Sequence, residues 1–421
     1  MEPPGPEAIR KRQREKLQRL LETVLASNPF YREKLDPTPL TRKPPSLREF
    51  RRHVPFTEKR ELLEDQVRNP PFGRNLSFPL DRYTRFNQTS GSRGQPLRCL
   101  DTAETWETML ECWKTVYRMS GVRPGDRIFF AFSFGPFLGF WTAFDAAQAL
   151  GTLCIPGGGQ SSLGRLRAIL GNRVDVLCAT PTYALHLAEV AAENGLSLEQ
   201  SPVRILLTAG EPGGCIEATR TRLEAAWGAR LRDHHGMTEV GPVSYECPSR
   251  RGVLHVLENA YLAEVVDPAT SRPVAPGETG ELILTTLDRV GSPVLRYRTG
   301  DLVKPSAMSP CACGRLELAL EGGVLGRVDD MVVIRGVNLF PAAVEEVIRR
   351  RPEISEYRVE VHESGVLKEM TIQIESSLGE GGARQLEREL HAAFSLRIPV
   401  SPVPPGTLPR FEMKSRRWIM K

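Results

Sequence analysis

Two groups of residues in this 421-residue chain have the types and spacing to do chemistry. The first is the run Thr89-Ser90-Gly91-Ser92-Arg93-Gly94-Gln95-Pro96. Glycines let backbone come close to an anion, and the surrounding N–H groups and hydroxyls hydrogen-bond phosphate oxygens. The same composition also suits a plain surface turn between the extended runs 83–87 and 97–100. The second group is Cys247, His255, Cys311 and Cys313. Three thiols and one imidazole make a closed tetrahedral donor set for Zn2+, with no open position, so the role is structural. The spacing is not that of a zinc-finger repeat, and unligated reduced cysteines are the alternative.

The loop at 89–96 has distant companions. In chain order they are Ala209-Gly210-Glu211-Pro212, His235-Gly236-Met237-Thr238-Glu239, Tyr297-Arg298-Thr299-Gly300-Asp301, Gly326-Arg327-Val328-Asp329-Asp330, Arg335-Gly336-Val337-Asn338-Leu339-Phe340-Pro341 and Lys414. Asn28-Pro29-Phe30-Tyr31 and Val54-Pro55-Phe56-Thr57 stand near the start. Together these motifs resemble the phenylacetate–CoA ligase family of the acyl-adenylate-forming superfamily, over nearly the whole chain.

That resemblance implies an ATP-dependent, AMP-forming acid ligase. A carboxylate attacks the α-phosphate of ATP, pyrophosphate leaves, and the acyl group passes to CoA. It also implies roles. The 89–96 loop cradles the β- and γ-phosphates, and Gly210, Glu211 and Pro212 form a nucleotide-binding loop. Glu239 holds Mg2+, a hard cation that needs oxygen ligands. Thr238 adds a hydroxyl at the α-phosphate, and His235, Gly236 and Met237 lie near adenine and substrate. Asp301 takes the ribose hydroxyls with help from Arg327, Asp329 is a hinge, and Lys414 bridges carboxylate and α-phosphate in the transition state. The Cys247, His255, Cys311, Cys313 set occurs in some members of the resembled family.

The sequence departs from the family pattern twice. His235 stands where a tyrosine is usual, and Gln95 where a lysine is usual, with Arg93 two residues earlier as a substitute cation. These departures make room for alternatives: an unusual acid such as nitrite, or an amine or carrier protein as acceptor. A non-catalytic nucleotide-binding module is a further alternative, against which the retention of Glu239, Asp301 and Lys414 argues. Phe132, Phe134 and Phe137 around Gly135-Pro136 suit an aromatic-accepting pocket, hence an aryl or arylacetic acid, although a run of phenylalanines also suits buried core.

The elements that must position these residues follow from periodicity. Leu17, Leu20, Leu21, Val24 and Leu25 share one helical face within 8–35, broken at Asn28-Pro29. Residues 36–56, rich in Pro and Arg, read as a wrapping loop. From about 100 to 235, apolar strands at 127–132, 152–155, 174–178 and 203–208 alternate with helices at 137–150, 162–170, 181–193 and 215–227. Such alternation predicts an α/β fold with a mainly parallel sheet and helices on both faces. Short strands over 245–326 predict a small β-subdomain. After Asp329 a helix starting at Pro341, two period-two strands and a last helix through Leu386, Leu390 and Phe394 predict a small α+β domain. The expected domains are 1–328, binding AMP, and a mobile C-terminal lid, 329–421.

Length and composition set bounds. A chain of 421 residues exceeds one ordinary core. With 40% hydrophobic and 25% charged residues it is globular, without an apolar run of about 18 residues. A polar, basic start lacks the apolar core of a secretory signal. The net charge of +5 is local: residues 1–60 hold 15 Lys/Arg against 8 Asp/Glu, the solvated face of a helix and its following loop. The expectations are a cytoplasmic enzyme with a small-molecule acid substrate, no nucleic acid or membrane partner, reduced cysteines, and a homodimer as in relatives.

Overall fold

The computed structural model of the chain describes residues 5–36, 38, 46–91, 94–199, 201–335, 337–364, 367–411 and 415–421; Ser92, Arg93, Gly336 and Lys414 lie outside the described residues. The packing divides into two units, Met1–Gly158 with Asp233–Gly323, and Gly159–Arg232 with Val324–Lys421.

In the first unit, helix Pro6–Ser27 buries Leu17, Leu20, Leu21 and Val24. It stops where expected, because Pro29 has no N–H to continue it. Asn28 instead caps a second helix, Pro29–Leu35, with its side chain accepting from the Tyr31 N–H at 3.1 Å. The expected wrapping loop over 36–56 contains a helix, Leu47–His53. Its signal is a capping box, Ser46 with Glu49, which fixes the start while Phe50 supplies the buried face. Helices Lys59–Arg68 and Ala103–Ser120 follow; the second is capped by Thr102 and ends at Gly121, whose φ of 88° is left-handed. Strands Tyr83–Gln88 and Arg98–Thr102 pair antiparallel, and Arg127–Phe130 pairs parallel with Leu153–Pro156.

The expected β-subdomain is a six-stranded sheet in the order Ser244–Glu246, Val253–Val256, Ala319–Arg327, Tyr297–Pro305, Gly280–Thr286, Tyr261–Val266. The N-terminal motifs brace it. Thr57 N–H donates to the Arg296 carbonyl at 3.0 Å and Arg298 N–H to the Thr57 carbonyl at 2.9 Å, so the 54–57 segment bridges the strand that leads to Asp301. Tyr31 accepts from the Leu295 N–H at 2.9 Å. Arg296 stacks over Phe56 at 4.1 Å while its guanidinium holds Glu264 in a two-bond pair.

In the second unit, Val176–Ala179 and Ile205–Thr208 pair parallel, with helices Ser162–Gly171, Pro181–Glu193 and Glu217–Trp227 before, between and after them. The C-terminal part is α+β, as the sequence predicts. Its sheet runs Val400–Val403, Leu367–Ser376, Ile354–Ser364, Trp418–Met420, and helices Pro341–Arg349 and Gly379–Phe394 supply Val344, Val347, Leu386 and Leu390 to one core with Val359, Ile372 and Ile374.

Candidate active site

The 89–96 loop is the tip of the hairpin formed by Tyr83–Gln88 and Arg98–Thr102. Its neck closes through two bonds: Thr89 N–H donates to the Leu97 carbonyl at 3.0 Å, and Leu97 N–H to Thr89 Oγ1 at 2.9 Å. Thr89 is therefore buried as a structural clasp, while Ser90 and Gly94 are exposed. Gly91 has φ +63°, and a Cβ there would lie 2.9 Å from the Gly94 carbonyl oxygen. Only glycine fits, and Gly94 N–H donates to the Gly91 carbonyl at 3.0 Å.

The carboxylate of Glu239 is buried, 8% exposed. Its Oε1 lies 3.0 Å from Lys59 Nζ and accepts from the Tyr297 hydroxyl at 3.3 Å. Lys59 opens helix Lys59–Arg68 and belongs to no motif, so sequence inspection missed it. Arg289 was missed for the same reason. It donates from Nη1 to the Thr238 carbonyl at 2.7 Å, and from Nε and Nη2 to the two oxygens of Asp101, each at 2.7 Å. Burial works against its charge, but Asp101 overrides that and holds the guanidinium pKa above its ordinary value. A buried charge needs such a partner, and this one spans 188 residues of sequence.

His235 and Asp301, both expected at the nucleotide, meet directly: His235 Nε2 lies 2.9 Å from Asp301 Oδ2. The His235 carbonyl accepts from Val243 N–H at 2.8 Å, which holds Gly236–Met237 against Gly241–Pro242. A Cβ at Gly236 would lie 2.9 Å from the Gly241 carbonyl oxygen. His234 points elsewhere. Its Nδ1 is 2.7 Å from the Ser244 carbonyl oxygen and its ring packs on Trp113 at 4.3 Å. Burial pushes its pKa down to about 4, so it is a neutral core residue.

The ligand atoms of Cys247, His255, Cys311 and Cys313 all lie within 4.8 Å of one another. Cys247 Sγ is 3.8 Å from Cys311 Sγ, and Cys313 Sγ is 3.4 Å from His255 Nε2. A tetrahedral ion with Zn–S of about 2.3 Å and Zn–N of about 2.0 Å requires S···S near ~3.8 Å and S···N near ~3.5 Å. The donors fit. His255 Nδ1 lies 3.4 Å from the Glu317 carbonyl oxygen, which fixes the ring with Nε2 toward the thiols. Gly314 N–H donates to the Cys311 carbonyl at 2.7 Å, closing the turn that presents both loop cysteines.

An aromatic cluster occupies 129–144. Phe129 and Phe130 are fully buried core, whereas Phe134, Phe137 and Phe140 are half-buried. Phe132 stacks on Phe140 at 4.1 Å, and Phe134 packs against Trp141 at 4.8 Å. A Cβ at Gly157 would sit 2.7 Å from the Phe129 ring, so glycine there permits the backbone's approach to the cluster.

In the second unit, the 209–212 loop follows strand Ile205–Thr208, and Gly210 has φ +97°. The Glu211 carboxylate is not directed at open space. Oε1 accepts from Thr182 N–H at 2.9 Å and Oε2 from Ser415 N–H at 2.8 Å. Arg327 Nε donates to Asp329 Oδ1 at 2.9 Å.

A family model described as AMP-binding enzyme matches residues 55–286, and one described as AMP-binding enzyme C-terminal domain matches residues 336–421. The chain is 33% identical to a phenylacetate–coenzyme A ligase of Thermus thermophilus, covering 98% of this chain and 96% of that one. It is 30% identical to the enzyme of that name from Escherichia coli, over 96% and 93%. Its structure superposes with a TM-score of 0.93 on a crystal structure of 2-hydroxyisobutyryl-CoA ligase in the postadenylation state with 2-HIB-AMP, at 26% identity over 100% and 91% of the two chains. Similarity that extends through both family models and over almost the full length carries the assignment: the chain belongs to the AMP-binding enzymes and, among them, to the phenylacetate–coenzyme A ligase family of ATP-dependent acid ligases.

Proposed function

We propose that this enzyme, an ATP-dependent ligase that adenylates a carboxylic acid and transfers it to CoA, takes an aryl or arylacetic acid. The observation behind the aromatic preference is the cluster at 129–144, where half-buried Phe134, Phe137 and Phe140 present ring faces and edges beside buried core. Aromatic rings pair with a further ring at about 0.5–1.5 kcal/mol beyond area burial.

The reaction has two steps. An oxygen of the carboxylate bonds to the α-phosphorus of ATP and pyrophosphate leaves, giving the acyl-adenylate. The CoA sulfur then bonds to the acyl carbon, AMP leaves, and the thiol proton is lost to solvent. In the first step Ser90, Gly91, Ser92, Arg93 and Gly94 bind phosphate oxygens, Thr238 the α-phosphate, and Lys414 the developing charge. Asp301 and Arg327 bind the ribose, and the backbone of Gly210 and Pro212 the base. Mg2+ held by Glu239 supplies the countercharge of the triphosphate. The buried, ion-paired state of Glu239 supports that role.

A structural Zn2+ at Cys247, His255, Cys311 and Cys313 is supported by the match of donor separations to a tetrahedral ion. The division into an AMP-binding domain, 1–328, and a lid, 329–421, is supported by a separate family model starting at 336. None of the described helices is long and apolar enough to cross a membrane. A cytoplasmic homodimer completes the proposal, with light scattering as its check.

ATP–pyrophosphate exchange across benzoate, phenylacetate, short hydroxy acids and nitrite tests the acid. Mass detection of the CoA thioester, against amide formation with amines, tests the acceptor. Exchange led by nitrite or an aliphatic acid overturns the aromatic preference.

A further inference from the structure

Glu211 belongs to a nucleotide-binding motif, yet both oxygens of its carboxylate are committed to backbone donors far apart in sequence. Oε1 takes Thr182 N–H at the start of helix Pro181–Glu193, a donor with no partner inside the helix. Oε2 takes Ser415 N–H, from the residue that follows Lys414.

The chain on either side of this bond is anchored in a matching way. Arg410 pairs with Glu375 at 2.8 Å and reaches Glu189 on the same helix at 3.4 Å. Arg417 holds Glu356 through bonds of 2.6 and 3.0 Å and reaches Thr182 Oγ1 at 3.2 Å. Each arginine is thus tied within the C-terminal sheet domain and touches helix Pro181–Glu193 with a spare N–H. Ser415, whose N–H Glu211 holds, lies between them in sequence and directly follows Lys414.

We propose that Glu211 is a positioning residue for adenylation, latching the backbone at Ser415. It rests on the reading of Lys414 as the adenylation lysine. The contacts of Glu211 with Ser415, and of Arg410 and Arg417 with helix Pro181–Glu193, are hydrogen bonds and ion pairs. Such a latch is strong in one geometry and is released at little cost, because water satisfies each separated group. A carboxylate accepting two N–H bonds also carries more than a neutral acceptor could.

The test uses the full-length enzyme with Glu211→Gln and Glu211→Ala, assayed for ATP–pyrophosphate exchange and, separately, for thioester formation from supplied acyl-adenylate and CoA. Loss of charge-assisted bonds predicts an adenylation kcat lower by about ten- to a hundredfold in Glu211→Ala, with a smaller loss in Glu211→Gln, which keeps one acceptor. The KM for ATP and the thioester half-reaction are expected to stay unchanged. Hydrogen exchange at the Ser415 amide is expected to speed up in both variants. Equal loss in both half-reactions, a raised KM for ATP with kcat intact, or unaltered exchange at Ser415 would overturn the latch. Lys414→Ala serves as the separate control. If it leaves adenylation intact, the role of Lys414 fails, and exchange at Ser415 still decides whether Glu211 holds the tail.

Discussion

Arg289 and Asp101, 188 residues apart, form a fully buried pair through two 2.7 Å bonds, and Arg289 spends its remaining reach on the carbonyl of Thr238. The pair thereby sets the backbone from which Glu239 projects. Removing one member strands the other charge in the core, so Arg289→Met is expected to cost about 3–5 kcal/mol of stability. Arg289→Met with Asp101→Asn should recover part of that loss in denaturant titrations while leaving adenylation impaired, because the Thr238 carbonyl still lacks its donor. A double variant no more stable than the single would show that the buried charge is not the cause.

His234 predicts a pH dependence. Its folded pKa, pushed down to about 4 by burial, lies below the 6.5 of an exposed imidazole. Between those values the unfolded chain binds a proton that the folded chain does not, so stability falls as pH drops through that window and levels off below it. The His234 share of the loss between pH 7 and pH 5 is about 2 kcal/mol. His234→Gln should flatten this part of the profile in equilibrium unfolding at the two pH values. An unchanged difference between pH 7 and pH 5 would place the titration elsewhere.

The donor set at Cys247, His255, Cys311 and Cys313 predicts about one zinc per chain in purified protein. Cys311→Ser should lower both zinc content and melting temperature, since the ion ties the 244–256 hairpin to the 311–314 turn. Zinc content unchanged in Cys311→Ser, by elemental analysis, would remove the assignment.

Much of this arrangement was legible in the sequence, for a physical reason. Helix Pro181–Glu193 and strand Tyr261–Val266 carry their own signals, proline at the first helical position and a mainly apolar run between turns. The cysteines and histidine of the metal set are rare residue types, so even irregular spacing singles them out. Helix Leu47–His53 was hidden because seven residues carry little periodicity and its flanks hold many prolines; the capping box was its only local mark. Lys59 and Arg289 left no mark at all. Each acts through contacts made by folding, Lys59 to Glu239 and Arg289 to Asp101 and the Thr238 carbonyl, and a lone lysine or arginine in sequence is ordinarily a solvated charge. Glu211 shows the converse. Its motif was visible, but the destination of its carboxylate depends on where Ser415 comes to lie.

Lys59 Nζ, 3.0 Å from Glu239 Oε1, holds the position of a countercharge to a buried carboxylate. If Glu239 is the oxygen ligand of Mg2+, ammonium and metal compete for the same oxygen. Two opposite effects follow. Glu239→Gln removes the anionic ligand, so adenylation should fall by about a hundredfold and the Mg2+ needed for half-maximal exchange should rise. Lys59→Met removes the competitor and leaves the carboxylate in place, so the Mg2+ requirement should fall, together with some stability in metal-free buffer, where Glu239 is left buried without its cation and beside the Tyr297 hydroxyl. Titrating pyrophosphate exchange against Mg2+ in both variants reads the two shifts directly. Shifts in the same direction would mean that Lys59 supports the metal rather than standing in for it, and no shift in Glu239→Gln would take the metal away from Glu239 altogether.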